Sequence, residues 1–425
     1  MAYSILMLNQ CWFRDELRQL GHNVVTAGWY SGGFDITFKW GCSVNSLISL
    51  LPLDFKPDRI IYWDDSALQS VINIDELNVP SIFMSVDIHH HFAWHKHFAN
   101  YFSLNLVAQK DYLSPLIESG LDPERVSWFP LWANANVIPA ANKDIQVSFR
   151  GNMDESLHPG RKTFFDLLST QVLGDFGVGP YPDVYARSKI VVNEAVRGDL
   201  NFRVFEGMIS GALVITPRIG NGLQDLFEDG VNIVFYNEGD VSDCSEKIKY
   251  YLENEEERKK IAAAGRKLVM ERHSLSARVS LLDSHLKAIE SVNVVIPSLS
   301  RLNLLSERAK MLWVYLRKYH TYDVADKLEL LLEDFTDIIQ QIDFNDNSLS
   351  DYELSIFTLD TLAFDILGMR SYQRWLDSLL TYLPQFPIVA FIGIAENKNE
   401  NDQESLEVIA KLKEARSTLI NSFLM

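Results

Sequence analysis

Short apolar runs separated by amphipathic stretches dominate the first two thirds of the chain. Runs of strand length occupy residues 5–8, 23–27, 58–63, 80–86, 104–108 and 126–130, and a helical stretch after the first of them stops at Gly21. Strand–helix repetition built on such nearly continuous apolar runs predicts a parallel sheet with helices on both faces. The pattern restarts after Asn142, with strands at 145–149, 190–192, 212–216 and 233–236 and helices at 162–168, 202–210, 247–252 and 255–269. In the second of these helices Phe202, Phe205, Met208 and Ile209 recur at helical spacing and Gly211 supplies the stop. Two consecutive α/β units, joined near residues 130–139, predict two facing Rossmann-like domains over 1–138 and 139–292. Open α/β sheets bind ligands at the C-terminal ends of their strands, so the cleft between the units is the expected site.

Beyond about residue 295 the alternation ends. Residues 302–319, 324–344, 351–367, 372–383 and 404–425 read as amphipathic helices, with one apolar run, 388–392, short enough for a strand. An all-α C-terminal domain over 293–425 is expected, a helical bundle or short solenoid without a repeat of fixed period. A groove between stacked helices suits recognition of a peptide or helix, so this region is expected to recruit an acceptor. The competing expectation is that it covers an apolar patch of the first two domains or makes a homodimer.

Composition narrows the function classes. Of 425 residues, 47% are hydrophobic and 23% charged, an ordinary globular balance, and the formal net charge of −18 excludes a nucleic-acid binder held by clustered Lys and Arg. A nucleotide is still compatible, because its few phosphates need only local N–H donors and one or two Arg. Cys11, Cys42 and Cys244 are too dispersed for a disulfide framework or a Cys-based zinc site. The first residues read as a strand rather than a leader. The longest apolar stretch, 386–395, is roughly half of a bilayer span. Cytoplasmic localisation and no integral membrane segment are expected.

The chemistry concentrates between residues 188 and 230. Arg203 and Glu206 stand three apart and share a helix face. A carboxylate there can accept both vicinal hydroxyls of a ribose, and the Arg can meet a diphosphate. The turn Gly220-Asn221-Gly222 leaves room for backbone N–H groups to approach phosphate, and Leu223 opens a helix whose dipole favours an anion. Taken alone, these features also describe a surface ion pair and a glycine turn.

The whole stretch resembles the C-terminal domain of CgeB-like, group 1-type GT-B glycosyltransferases. The resemblance is carried by Arg203-Val-Phe-Glu206, Gly211-Ala212 before an apolar strand, and Gly222-Leu223 before Phe227. It continues through Tyr250-Tyr251-Leu252, the 261–266 run Ile-Ala-Ala-Ala-Gly-Arg, and His273 to Arg278. It implies that Glu206 binds ribose and Arg203 the donor, that Gly151, Asn152 and Arg161 form a phosphate-facing loop region, and that Asn221, Gly222 and Leu223 form a second phosphate-facing turn. Where many group 1 enzymes carry a further Glu eight residues before the ribose Glu, this chain has Gly198, with Asp199 one step later as a candidate sugar contact.

In the first unit Asp87 and His89 follow a strand, and the resemblance suggests a catalytic acid/base or acceptor-positioning residue there. Asp87 capping a helix is the plain alternative. Five histidines between 89 and 97 could hold a metal, but no carboxylate has the spacing, and the family needs none. Asp64 and Asp65 look like the metal-binding pair of the other glycosyltransferase fold, GT-A. The second Rossmann unit argues instead that they are strand-end polar residues on the acceptor side. The expected activity is metal-independent, hexosyltransferase-like transfer from a UDP- or GDP-linked sugar, which is a substrate and not a cofactor, to a protein or polysaccharide. A non-catalytic GT-B-like subunit that steadies a partner is the alternative. A sugar-nucleotide epimerase lacks its converging carboxylate pair and His.

Overall fold

The computed structural model describes residues 2–67, 69–72, 74–133, 137–155, 158–289, 296, 298–319, 349–366, 369–383, 386–396 and 403–424. Fourteen strands follow in chain order: β1 Ser4–Leu8, β2 Asn23–Gly28, β3 Ile36–Thr37, β4 Cys42–Ser43, β5 Arg59–Trp63, β6 Val71–Ile72, β7 Ser81–Ser85, β8 Leu104–Val107, β9 Val126–Trp128, β10 Ile145–Arg150, β11 Asp175–Gly177, β12 Ser188–Val192, β13 Leu213–Pro217 and β14 Val234–Tyr236. Seven form one sheet in the order β3-β2-β1-β5-β7-β8-β9, five form a second in the order β11-β10-β12-β13-β14, and β4 pairs with β6. The central register sets Leu6 opposite Val25 on one side and Ile60 on the other, with every neighbour parallel.

Parallel strands are buried on both faces, and their side chains alternate between two cores. Leu6, Leu8, Ile60, Tyr62 and Phe83 enter one core. Ile5, Met7, Ile61, Trp63 and Met84 enter the other, together with Phe205, Met208 and Leu223 from the second unit. The apolar runs had no polar alternation because neither face meets water. The helix Leu275–Ala288 leaves the second unit and packs on the first, where Val279, Leu282 and Leu286 join that second core. His22 Nε2 meets Asp283 Oδ1 at 3.0 Å, and Arg59 donates from Nε to the Leu286 carbonyl at 3.1 Å.

The C-terminal helices are not set apart from the first unit. Leu302, Leu305, Ala309 and Trp313 of the helix Ser298–Tyr319, and Tyr352, Ile356 and Leu359 of Leu349–Ile366, belong to the same core as Leu6, Tyr62, Phe83, Trp94 and Phe98. They cover the face of the first sheet turned away from the second unit. Residues 388–392 lie in the helix Pro387–Glu396 rather than a strand. A short apolar run does not distinguish strand from buried helix, and here Pro387 starts a helix whose Val389 and Ile392 are fully buried. The helix expected at 324–344 lies outside the described residues.

Trp313 is 1% exposed and donates from Nε1 to Asp365 Oδ2 at 2.6 Å. Trp313→Ala is expected to lower the unfolding free energy by about 3–5 kcal/mol in denaturant titration. A chain ending at residue 289 should aggregate, because the sheet face under the helices would be uncovered. A soluble fragment with a cooperative transition would show that this cover is dispensable.

Candidate functional site

The C-terminal ends of β10 and β12 and the start of the helix Phe202–Ile209 meet at Arg203. Its Nε donates to the Arg150 carbonyl at 3.0 Å and its Nη1 to Asn193 Oδ1 at 2.6 Å, with the guanidinium 4.2 Å above the Phe149 ring. A Cβ on Gly151 would stand 2.4 Å from Arg203 Nη2, so the glycine is what lets the cation reach the strand end. Arg161, only 4% exposed, sits alongside. It donates from Nε to Glu194 Oε2 at 2.6 Å and from Nη1 to the Asn152 carbonyl at 3.1 Å. Burial lowers the pKa of Arg161 and raises that of Glu194. The Asn152 side chain serves its own turn, accepting from the Asp154 amide at 2.9 Å.

Glu206 lies one turn along from Arg203 and is pushed up to about 7 by burial, against the opposing pull of Arg203 and a hydrogen bond from Tyr181. Asp199 is pushed up to about 6, also by burial. Its Oδ1 accepts from the Val196 amide at 2.7 Å, closing a turn in which Arg197 and Gly198 have φ of 52° and 70°. The carboxylate that follows Gly198 therefore staples this turn. Glu194 and Asn193 were not singled out from the sequence, although a polar pair directly after an apolar strand at the C-terminal edge of a parallel sheet was the available signal.

The turn at 220–222 faces the first unit. The Asn221 amide donates to Asp111 Oδ2 at 2.9 Å, Asn221 Oδ1 accepts from the Asp111 amide at 3.2 Å, and Asn221 Nδ2 donates to the Gly198 carbonyl at 2.8 Å. Gly222, at φ 83°, leaves the space that Trp128 fills, and Leu223 is fully buried. Gln109 holds the Leu200 backbone from the same side, accepting at 2.9 Å and donating at 3.3 Å, while Lys110 pairs with Asp225 at 3.0 Å. The turn thus joins the two units, and the Asn221 amide is already committed to a carboxylate. Nothing in the local sequence near 221 marks Asp111, which is 110 residues away.

Across the cleft, Asp87 precedes the helix Ile88–Phe98 but its side chain does not cap it, accepting instead from the Ser66 hydroxyl. Asp64 is a buried hub whose oxygens accept from the amides of Ser66, Val86 and Asp87 at 3.0, 3.1 and 2.7 Å. Burial, then Asp64, then Asp199 push the Asp87 carboxyl up to about 8, so Asp87 feels the carboxylate of the opposite unit. His89 is 7% exposed, with Nδ1 lacking a hydrogen-bond partner. It is pushed down to about 3 by burial, then by His90, His91, Arg197 and His158, and is neutral at pH 7. His95 is a core residue, with Nδ1 2.8 Å from Ser85 Oγ. Among the described residues no group of three or more His, Cys, Asp or Glu is placed to hold a metal ion.

Two tests follow from this geometry. A methyl on Gly222 would lie 2.3 Å from the Trp128 ring in a backbone region that disfavours it. Gly222→Ala should therefore cost at least about 1 kcal/mol and loosen the contact between the units, read by thermal melting and small-angle scattering. Asp87 keeps its proton to higher pH when folded than when unfolded, so ionising it destabilises the fold. Its contribution to stability should fall from about pH 4 to about pH 8, by no more than about 1.4 kcal/mol per pH unit, and level off above about pH 8. The neutral histidines act in the opposite direction, and only below about pH 6.5. Asp87→Asn should flatten the fall of the melting temperature between about pH 6.5 and 8, above the range of the histidines; an unchanged slope there would assign the proton elsewhere.

Residues 139–284 match the family model described as glycosyl transferase-like. Anabaena Alr3699/HepE, crystallised with UDP and glucose, superposes with a TM-score of 0.51 at 15% identity, covering 68% of this chain and 100% of that one. A glycosyltransferase from Rickettsia africae gives a TM-score of 0.48 at 14% identity, covering 67% and 98%. No curated protein matches the sequence. With its two parallel-sheet units face to face and its helical C-terminal region, the chain has the GT-B fold, and its second unit carries the glycosyl transferase-like family pattern.

Proposed function

We propose that this protein transfers a sugar from a nucleotide-sugar donor, UDP- or GDP-linked, in the manner of the CgeB-like group 1 enzymes, without a metal ion. The observation that carries this reading is the helix face of Arg203 and Glu206 beside Gly151, Asn152 and Arg161, set opposite Asp87 and His89. Anabaena HepE, whose structure contains UDP and glucose, shares the fold.

In this reading the Glu206 carboxylate accepts the two ribose hydroxyls, and Arg203 and Arg161 face the diphosphate with the N–H groups not used by the protein. Fixed donors aimed at the departing diphosphate stabilise the charge that develops on it. Asp87, with a pKa near the working pH, takes the proton of the acceptor hydroxyl, and neutral His89 offers a hydrogen bond to the transferred sugar. Asp199 reaches the sugar only with the part of its carboxylate left over from the turn. The Asp111 carboxylate on the Asn221 amide favours a second reading, a non-catalytic GT-B-like subunit in which no phosphate enters that turn. The acceptor, protein or polysaccharide, and a homodimer through the C-terminal helices belong to the same proposal.

Calorimetric titration with UDP and GDP separates the readings. Glu206→Ala should weaken the preferred nucleotide by about tenfold or more, the loss of hydrogen bonds to a charged group. Since Glu206 must ionise to accept both hydroxyls, the change in affinity from about pH 6 to 8 should be more favourable in the wild type than in Glu206→Gln. Absence of binding by UDP and GDP to the wild type would favour the non-catalytic subunit.

A further inference from the structure

The loop after β2 carries a ladder of aromatic rings that the donor site does not use. Trp29 and Tyr30 have ring centroids 5.3 Å apart at 79°, and Tyr30 and Phe34 5.2 Å apart at 85°. Trp29 packs partly against the core beneath, while Ser31, Gly32 and Gly33 are exposed and all three rings are half-buried. The ladder is held in place by contacts with the neighbouring loops. Trp29 Nε1 donates to Asp65 Oδ2 at 2.7 Å, the Tyr30 hydroxyl donates to the Asn9 carbonyl, and Arg14 Nη1 donates to the Gly33 carbonyl at 3.0 Å. Phe34 folds back over Gly28 and Gly32, where added Cβ atoms would lie 2.1 and 2.5 Å from its ring. These glycines shape the loop around an aromatic ring rather than merely turning the chain.

The ladder connects to the cleft. Asp65 receives the Trp29 indole, and the next residue, Ser66, donates its hydroxyl to Asp87. A ligand lying along Tyr30 and Phe34 therefore extends past Asp65 towards the residue opposite the donor site. Aromatic faces flanked by a carboxyl group fit a molecule with one C–H-rich face and a rim of hydroxyls. A polyanion is disfavoured by the carboxylates of Asp64, Asp65 and Asp199 near this path and by the net charge of −18.

We propose that Trp29, Tyr30 and Phe34 form the acceptor subsite and that the acceptor is a neutral saccharide, stacked on Tyr30 and Phe34 with a hydroxyl directed to Asp87. The proposal rests on the glycosyltransferase reading and selects saccharide over protein as the acceptor. The test titrates the full-length chain with maltoheptaose, cellohexaose and chitohexaose as neutral probes, polygalacturonate oligomers as the anionic probe, and UDP in parallel, following tryptophan fluorescence and calorimetry. At least one neutral oligosaccharide should bind. Tyr30→Ala should weaken it about tenfold or more, and Tyr30→Phe, which keeps the ring, should stay within about twofold of wild type. UDP affinity should be the same in all three proteins. Trp29→Phe should remove most of the saccharide-induced fluorescence change.

If the wild type binds UDP but none of the neutral oligosaccharides, or if Tyr30→Ala binds them as tightly as wild type, the subsite is overturned. Tighter binding of the polygalacturonate oligomers than of every neutral probe overturns it as well. Saccharide binding that depends on Tyr30 in a protein that fails to bind UDP and GDP would support the subsite while removing the donor reading, so the two failures are distinct.

Discussion

A seven-stranded parallel sheet has two apolar faces, and neither can be left in water. The rest of this molecule is arranged around covering them. One face of the first sheet is closed by the second unit and by the helix Leu275–Ala288, through the core that holds Ile5, Met7, Phe205 and Leu286. The other is closed by the C-terminal helices, through Leu6, Tyr62, Trp313 and Tyr352. What remains open is the C-terminal edge of the strands. There the loops carry Asp87, Asp65, Gly151 and Glu194, and backbone groups are free to be satisfied by side chains or a ligand.

Burial at that edge explains its electrostatics. Asp65, Asp199 and Glu206 are pushed up to about 6, 6 and 7, and His89 down to about 3, each chiefly because the charged form is disfavoured away from water. The two arginines each share nearby oxygens. Arg203 uses a carbonyl and Asn193, and Arg161 uses Glu194 and a carbonyl. The result is a cleft of protonatable carboxyls and neutral imidazoles facing fixed cations, which suits moving a proton on one side and stabilising an anion on the other.

The join between the two units depends on missing side chains as much as on present ones. Gly220 and Gly222 let Asp111 and Trp128 approach the backbone to distances that a Cβ would forbid. Gln109 and Asp111 then satisfy backbone groups of the opposite unit. A turn that reads as phosphate-facing in isolation has its amide bound by a carboxylate from the other unit. The small residues leave that N–H unobstructed, and Asp111 takes it.

Much of the architecture was legible in the chain itself. Apolar runs such as 5–8 and 145–149, buried on both faces, identify parallel strands, and the i, i+3 spacing of Arg203 and Glu206 puts them on one helix without knowledge of anything distant. The short strands β3, β4, β6 and β11 were not legible, since no apolar run of strand length marks them and they exist only because a neighbour pairs with them. Nor could the chain show that Asn221 meets Asp111, that Asp87 feels Asp199, or that residues 388–392 are helical. Local pattern determined the elements and the face each presents, because backbone geometry and burial act over a few residues. Which faces close on one another, and which carboxyls lose water as a result, was decided only by the tertiary structure, because desolvation and cross-cleft charge depend on groups far apart in the sequence.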